Sequence, residues 1–206
     1  MLSGRRYDPV KRAIDVAVGG AALVLSLPLQ VALAVLVRRK LGSPVLFRQR
    51  RPGKDEAVFE LVKFRTMVDP DPQRGLVTDD ERMTPFGARL RSTSLDELPT
   101  LWHVVRGEMS LVGPRPLLVR YLDRYSPEQR RRHEVRPGIT GLAQVGGRNS
   151  IAWDDKLAMD VDYVDRRSLA LDTLIIVRTL GHVIGRRGIA AEGSATMPEF
   201  RGGLNG

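Results

Sequence analysis

The chain of 206 residues contains no cysteine, so disulfides and thiolate metal sites are excluded. Histidine is nearly absent as well: His103, His133 and His182 are too far apart in sequence to read as a metal set. Aromatic residues make up only 5% of the chain, which leaves few stacking platforms for single-stranded nucleic acid. Negative charge is in deficit. Lys and Arg number 33 against 24 Asp and Glu, a net charge of +9. Such a surplus favours an anionic partner: nucleic acid, an anionic membrane or a phosphorylated substrate. The length suits one domain with a possible appendage, and 42% hydrophobic residues are enough for a core.

The appendage is visible at the start. Val16–Val37 carries no charge and is framed by Lys11, Arg12 and Asp15 before it and Arg38, Arg39 and Lys40 after it. As a helix it would measure roughly 33 Å, enough to cross a hydrocarbon core of about 30 Å. Basic clusters at both ends give no clear orientation by the positive-inside rule. Pro28 removes a backbone hydrogen bond near the middle, and Ser26 can bond back to a carbonyl and favour a bend. The pattern fits a re-entrant helix best, with a spanning helix and a buried soluble helix as alternatives.

From Pro44 the pattern changes to strands at Pro44–Gln49 and Ala57–Arg65, joined by the turn-rich Arg50–Asp55. Asp69–Gly75 reads as a loop. Thr84-Pro85 opens a short helix to about Arg91, Leu117–Tyr125 is predicted helical, and Ser126-Pro127-Glu128 caps a helix with the basic run Arg130–Arg132. Arg136–Gly141 reads as a turn, followed by Leu142–Val145 and the glycine loop Gly146-Gly147-Arg148-Asn149. Helices are predicted over Trp153–Val164 and Leu169–Gly185. On the latter, Ala170, Leu174, Val177, Leu180 and Ile184 form an apolar face opposite Asp172, Thr179 and Arg186. Packing of that face on the core is the expectation, and a place in the membrane surface is the alternative.

The chain is organised around Thr93–Pro116. Ser94-Leu95-Asp96-Glu97 fits a capping box, with acidic side chains complementing a helix dipole. That structural role leaves room for chemistry, because N–H groups at a helix start keep a carboxylate ionised and attract phosphate. An ionised Asp can attack phosphorus or hold a divalent cation. Trp102, Val104 and Val105 would form the buried face behind it. The stretch closes on Gly113-Pro114-Arg115-Pro116, a stiff turn that fixes one arginine.

Taken in order, the basic–apolar–basic segment, Lys63-Phe64-Arg65-Thr66-Met67, Ser94-Leu95-Asp96-Glu97-Leu98, Val112-Gly113-Pro114-Arg115-Pro116, Arg136–Gly141 and Gln144-Val145-Gly146-Gly147-Arg148-Asn149 resemble the bacterial sugar transferases. These are the monotopic polyprenyl-phosphate phosphoglycosyl transferases, and the chain is similar to their small PglC-like form over about residues 8–202. The resemblance implies a mixed, helix-rich α/β fold: a small catalytic core with a re-entrant membrane helix and interfacial amphipathic helices. It divides the chain into residues 1–40 (basic segment and membrane helix), 41–190 (catalytic domain) and 191–206 (tail).

The implied reaction transfers a sugar 1-phosphate from a UDP-sugar to polyprenol phosphate and releases UMP, as the first membrane step of glycoconjugate assembly. Asp96 would be the nucleophile, and Glu97 would help hold Mg²⁺, the implied cofactor. Lys63, Arg91 and Arg115 would bind phosphate, and Arg148 and Asn149 would contact the nucleotide. Asp160 and Asp172 match acidic positions of the family. The implied partners are the UDP-sugar, the lipid phosphate, the membrane and downstream glycosyltransferases, with no nucleic acid; the implied location is the bacterial inner membrane, with the catalytic domain facing the cytoplasm. The tail from Glu192 to Phe200 resembles those of members acting on UDP-N,N′-diacetylbacillosamine or related acetamido sugars. Two departures are visible: Gly147 stands where Asn is common, and Leu27 separates Ser26 from Pro28. A UDP-releasing glycosyltransferase and a non-enzymatic basic membrane-anchored protein are the competing readings; the second has no need of Asp96-Glu97.

Overall fold

The structure, a computed structural model, describes residues 4–146, 152–185 and 199–202. It is a helix-rich α/β arrangement with two small sheets among the described residues. Helix α1 runs from Gly4 to Leu41 as one element, with Pro9 and Pro28 inside it. Its last turn carries Arg38, Arg39 and Lys40, which complement the dipole. It ends at Gly42, whose φ of +82° is the left-handed conformation that glycine adopts without strain. Ser26 donates to the Leu23 carbonyl at 3.0 Å and accepts from Gln30 at 2.9 Å.

Strands β1 (Leu46–Pro52) and β2 (Val58–Phe64) form an antiparallel hairpin, in register from Leu46↔Phe64 to Pro52↔Val58. The short helices α2 (Asp79–Arg82) and α3 (Pro85–Ser92) follow, each capped by a threonine side chain, Thr78 and Thr84. A 3-10 turn over Leu95–Thr100 leads into α4 (Leu101–Arg106). Strand β3 (Ser110–Val112) then pairs in parallel with β4 (Gly138–Thr140), so the segment expected as a turn is partly strand. Between them, Val119–Arg124 is 3-10, and α5 (Pro127–Arg130) carries a capping box from Ser126 to Gln129. Helices α6 (Leu142–Gly146), α7 (Trp153–Arg166) and α8 (Leu169–Gly185) are the last elements among the described residues.

Two glycines permit close backbone approaches that fix the core. A Cβ on Gly138 would lie 2.1 Å from the Gly113 nitrogen, so β3 and β4 meet only without side chains there. A Cβ on Gly87 of α3 would lie 1.7 Å from the Thr66 carbonyl oxygen. Gly87→Ala must push α3 off the chain after β2; we expect a loss of about 3 kcal/mol, read as a fall in thermal midpoint. An unchanged midpoint would show that α3 can shift freely.

Polar side chains fasten the N-terminal half of α1 to the core. Arg12 donates to the Val104 and Val105 carbonyls at 2.6 and 2.8 Å, closing the end of α4. Asp15 accepts from the Leu111 N–H at 3.0 Å. Tyr7 and Lys11 both reach Asp172 of α8, at 2.8 and 2.6 Å. The leading charges of the apolar run are therefore held by the protein rather than offered to a surface. The C-terminal half docks separately: Leu33, Val37 and Leu41 pack with Phe64 and Leu90, and against Leu95 and Leu98 on either side of the Asp96-Glu97 pair.

Between these two docking regions α1 leaves its apolar side chains outside. Leu25 is 82% exposed, and Val24, Leu27, Leu29 and Val31 are exposed too. Among the described residues one helix, Tyr7–Leu41, is long and apolar enough to cross a membrane. This is the surface of a membrane-associated segment. Helix α8 departs from the expectation of core packing. Its inward side is Asp172 and Ile175, while Leu174, Val177 and Leu180 of the predicted apolar face are exposed. Trp102 also points out, at 52% exposure, and only Val104 of the expected backing is fully buried.

Candidate active site

The Asp96-Glu97 pair sits in the 3-10 turn, not in a capped α-helix. Ser94 has φ +55°, a left-handed conformation uncommon for a residue with a Cβ, and its hydroxyl makes no capping bond. The expected capping box is thus absent. Glu97 turns instead to Arg115, whose Nη2 lies 2.5 Å from Glu97 Oε1. Asp96 is 4% exposed. Lys63 on β2 approaches it, Nζ to Oδ2 at 3.9 Å. Arg91 at the end of α3 is aimed by the segment after β2: Nε donates to Thr66 Oγ1 at 3.0 Å and Nη2 lies 3.7 Å from Met67 Sδ.

The turn that carries Arg115 is held at three consecutive carbonyls. Gly138 N–H donates to Pro114 O at 3.0 Å, Arg132 to Arg115 O at 2.7 Å, and Arg51 to Pro116 O at 3.1 Å. Prolines on both sides leave few backbone N–H groups to complete a regular element, so these donors define the turn.

Lys63, Arg91, Asp96, Glu97 and Arg115 all line one cleft of about 1100 Å³. Asp160 lines it as well but is locked to Arg132, which donates from Nε and Nη2 to Asp160 Oδ2 at 3.0 and 2.7 Å. Asp172 stands apart from the cleft, beneath Tyr7, Lys11 and Tyr163. Arg148 and Asn149 lie outside the described residues. The sequence reading missed Arg51 and Arg132. Arg132 sits in a basic run that looks like a solvated helix face, and only its distant partner reveals its role. Arg51 has a signal in retrospect: like Arg115, it precedes a proline in a turn-rich stretch.

The electrostatics separate the two acids. Burial, and then the charge of Glu97, push the Asp96 carboxyl up to about 6, against the pull of Lys63, Arg91 and Arg115. Burial acts on Glu97 in the same direction, but the Arg115 charge and hydrogen bond, with Lys63 and Arg91, hold it below the usual range. Burial lowers the Lys63 ammonium, partly offset by Asp96. Asp96 is therefore ionised at neutral pH yet poorly solvated and under-compensated.

Residues 6–186 match the bacterial sugar transferase family. The chain belongs to that family. As a bacterial sugar transferase it is an enzyme of the transferase class. It is 49% identical over 168 residues to an uncharacterized sugar transferase, EpsL, of Bacillus subtilis, covering 81% of this chain and 83% of that one. It is 41% identical over 188 residues to the UDP-glucose:undecaprenyl-phosphate glucose-1-phosphate transferase of Caulobacter vibrioides, covering 84% of this chain and 69% of that protein. The UDP-galactose-lipid carrier transferase of Erwinia amylovora is 39% identical over 197 residues; the match covers 87% of this chain and 41% of that protein.

Proposed function

We propose that this bacterial sugar transferase moves a sugar 1-phosphate from a UDP-sugar to a polyprenol phosphate such as undecaprenyl phosphate. The observation that carries the reading is Asp96: a buried carboxylate on the cleft wall with an ammonium and two guanidiniums around it. In the first step an Asp96 oxygen attacks the phosphorus that bears the sugar. The bond to the bridging oxygen breaks, its electron pair leaves with UMP, and a phosphosugar ester remains on Asp96. In the second step a phosphate oxygen of the lipid attacks the same phosphorus and Asp96 departs as carboxylate. The product is polyprenyl-diphosphate-sugar. Lys63, Arg91 and Arg115 hold the phosphoryl oxygens and offset the charge that gathers at phosphorus.

Mg²⁺ suits the donor set. It is commonly bound by one or two carboxylates together with substrate phosphates and water. Asp96 and Glu97 both face the cleft, and the under-compensated Asp96 charge can accept a cation. When bound, the ion would draw charge from the diphosphate oxygens. Glu97 also fixes Arg115, so its loss disturbs both groups.

The proposed reaction calls for an enzyme at the cytoplasmic face of the inner membrane, where its nucleotide donor and lipid phosphate would meet. Both halves of α1 dock on one core with exposed apolar residues between them, which supports a re-entrant segment. The outward apolar face of α8 would rest in the same interface. Single cysteines near the two ends of α1 should react with an impermeant reagent from one side only; labelling from opposite sides would show a span.

The sugar is best sought with a panel. Named relatives act on glucose and galactose donors. The acetamido-sugar expectation rests on a tail that lies largely outside the described residues. Nucleotide release from UDP-glucose, UDP-galactose, UDP-N-acetylgalactosamine and UDP-N,N′-diacetylbacillosamine tests the reaction. UMP supports the phosphosugar route, and UDP in its place would refute it. Because the nucleophile titrates near 6, the rate should climb as pH rises from 5 to 7 and then level off. A flat profile over that range would count against Asp96.

A further inference from the structure

Arg51, at the end of β1, is a half-buried cation whose surroundings are incomplete. The guanidinium groups of Arg115, Arg132 and Arg65 each have a carboxylate: Glu97, Asp160 and Asp69. Arg51 forms no ion pair among the described residues. Its Nη1 donates to the Pro116 carbonyl at 3.1 Å and its Nη2 to Gln49 Oε1 at 2.5 Å, both neutral acceptors. Its Nε–H is buried and has no acceptor. Burial, and then the neighbouring charge of Arg115, hold the group down to about 10. A buried charge with an unmade hydrogen bond is costly unless an anion completes it.

Arg51 lines the same cleft as the Asp96-Glu97 pair, and so does Lys156. Arg115 is a positive neighbour of both. Lys63 and Arg91 form one group, beside Asp96. Arg51 is a further cation of the cleft, and the reaction described above assigns it no ligand. That reaction brings two phosphates besides the one transferred: the phosphate that leaves on the nucleotide and the phosphate of the lipid.

We infer that Arg51 is a second phosphoryl-binding residue of the cleft, holding an oxygen of a substrate or product phosphate monoester beside Arg115. The inference rests on the transferase reading for its ligands and on the guanidinium's missing partner for its position. A purely structural Arg51 would only brace the Pro116 carbonyl and would leave phosphate affinity unchanged.

Calorimetry on the full chain in detergent, with UMP and separately with farnesyl phosphate, separates the two sources. Arg51→Gln should weaken one of these ligands by about 10- to 100-fold, the range of one charged hydrogen bond, and Arg51→Lys should weaken it less. Loss confined to UMP assigns the site to the nucleotide phosphate; loss confined to farnesyl phosphate assigns it to the lipid. Unchanged affinity for both in a folded Arg51→Gln overturns the proposal. Phenylglyoxal labelling of the wild type supplies an arm that needs no variant. The ligand should protect Arg51 and leave the exposed Arg48 reactive, and equal labelling of Arg51 with and without both ligands also overturns it. Binding is read without turnover. Wild-type UMP release alongside unchanged Arg51→Gln affinity therefore refutes Arg51 alone, and absent UMP release refutes the reaction alone.

Discussion

Asp96→Asn is expected to abolish UMP release and at the same time to make the protein more stable. The first effect follows from removing the attacking oxygen; the rate should fall about 10⁴-fold or more. The second follows from the raised carboxyl. Unfolded, Asp96 titrates near 3.8; folded, it titrates at about 6. Between those values the folded state holds a proton that the unfolded state has lost, so stability falls as pH rises through this window. Above 6 the cost is fully present, and two units correspond to about 2–3 kcal/mol. Asn carries no such cost. At pH 7.5 the variant should melt several degrees above the wild type, and at pH 4 the difference should vanish. Residual UMP release, or a lower melting point at pH 7.5, would contradict the placement of this carboxylate.

The second large effect concerns Arg132 and Asp160. Their side chains are 2% and 3% exposed, 2.7 Å apart. Truncating one partner leaves the other charge buried, and Asp160→Ala should cost about 3–5 kcal/mol in chemical denaturation. Replacing both with apolar residues of similar volume, Arg132→Met with Asp160→Leu, should recover much of that loss, because a buried pair contributes little net stability. Activity should not return with it. Arg132 also holds the Arg115 carbonyl, and without that bond the arginine that engages Glu97 loses its fixed position. A double variant as active as the wild type would show that the prolines alone fix the turn.

Local chemistry was legible in the sequence where it suffices to define an element. The strand pair, the Thr84 cap and the helix Leu169–Gly185 could be read from neighbours a few residues apart. Elements that depend on distant partners were not. Gly138–Thr140 is too short to show alternation, and it is a strand only because Ser110–Val112 lies beside it. Ser94-Leu95-Asp96-Glu97 has the letters of a capping box, but the Arg115 guanidinium competes for Glu97 and wins. The apolar stripe of α8 is exposed rather than buried, because hydrophobicity alone does not say which face of a helix meets its own core. The inward side instead carries Asp172, which can be buried because Tyr7, Lys11 and Tyr163 bond to it.

The staples of α1 also set an order of events during synthesis. Tyr7 bonds to a residue 165 positions later, and Asp8 pairs with Arg167, 159 positions later. At about 5–20 residues per second, the ribosome needs roughly 8–30 s to supply those partners. The apolar stretch has left the exit tunnel long before then, while hydrophobic contacts form in well under a millisecond. The nascent helix therefore leaves the tunnel before its last partners exist, and the C-terminal elements must fold onto a segment already made.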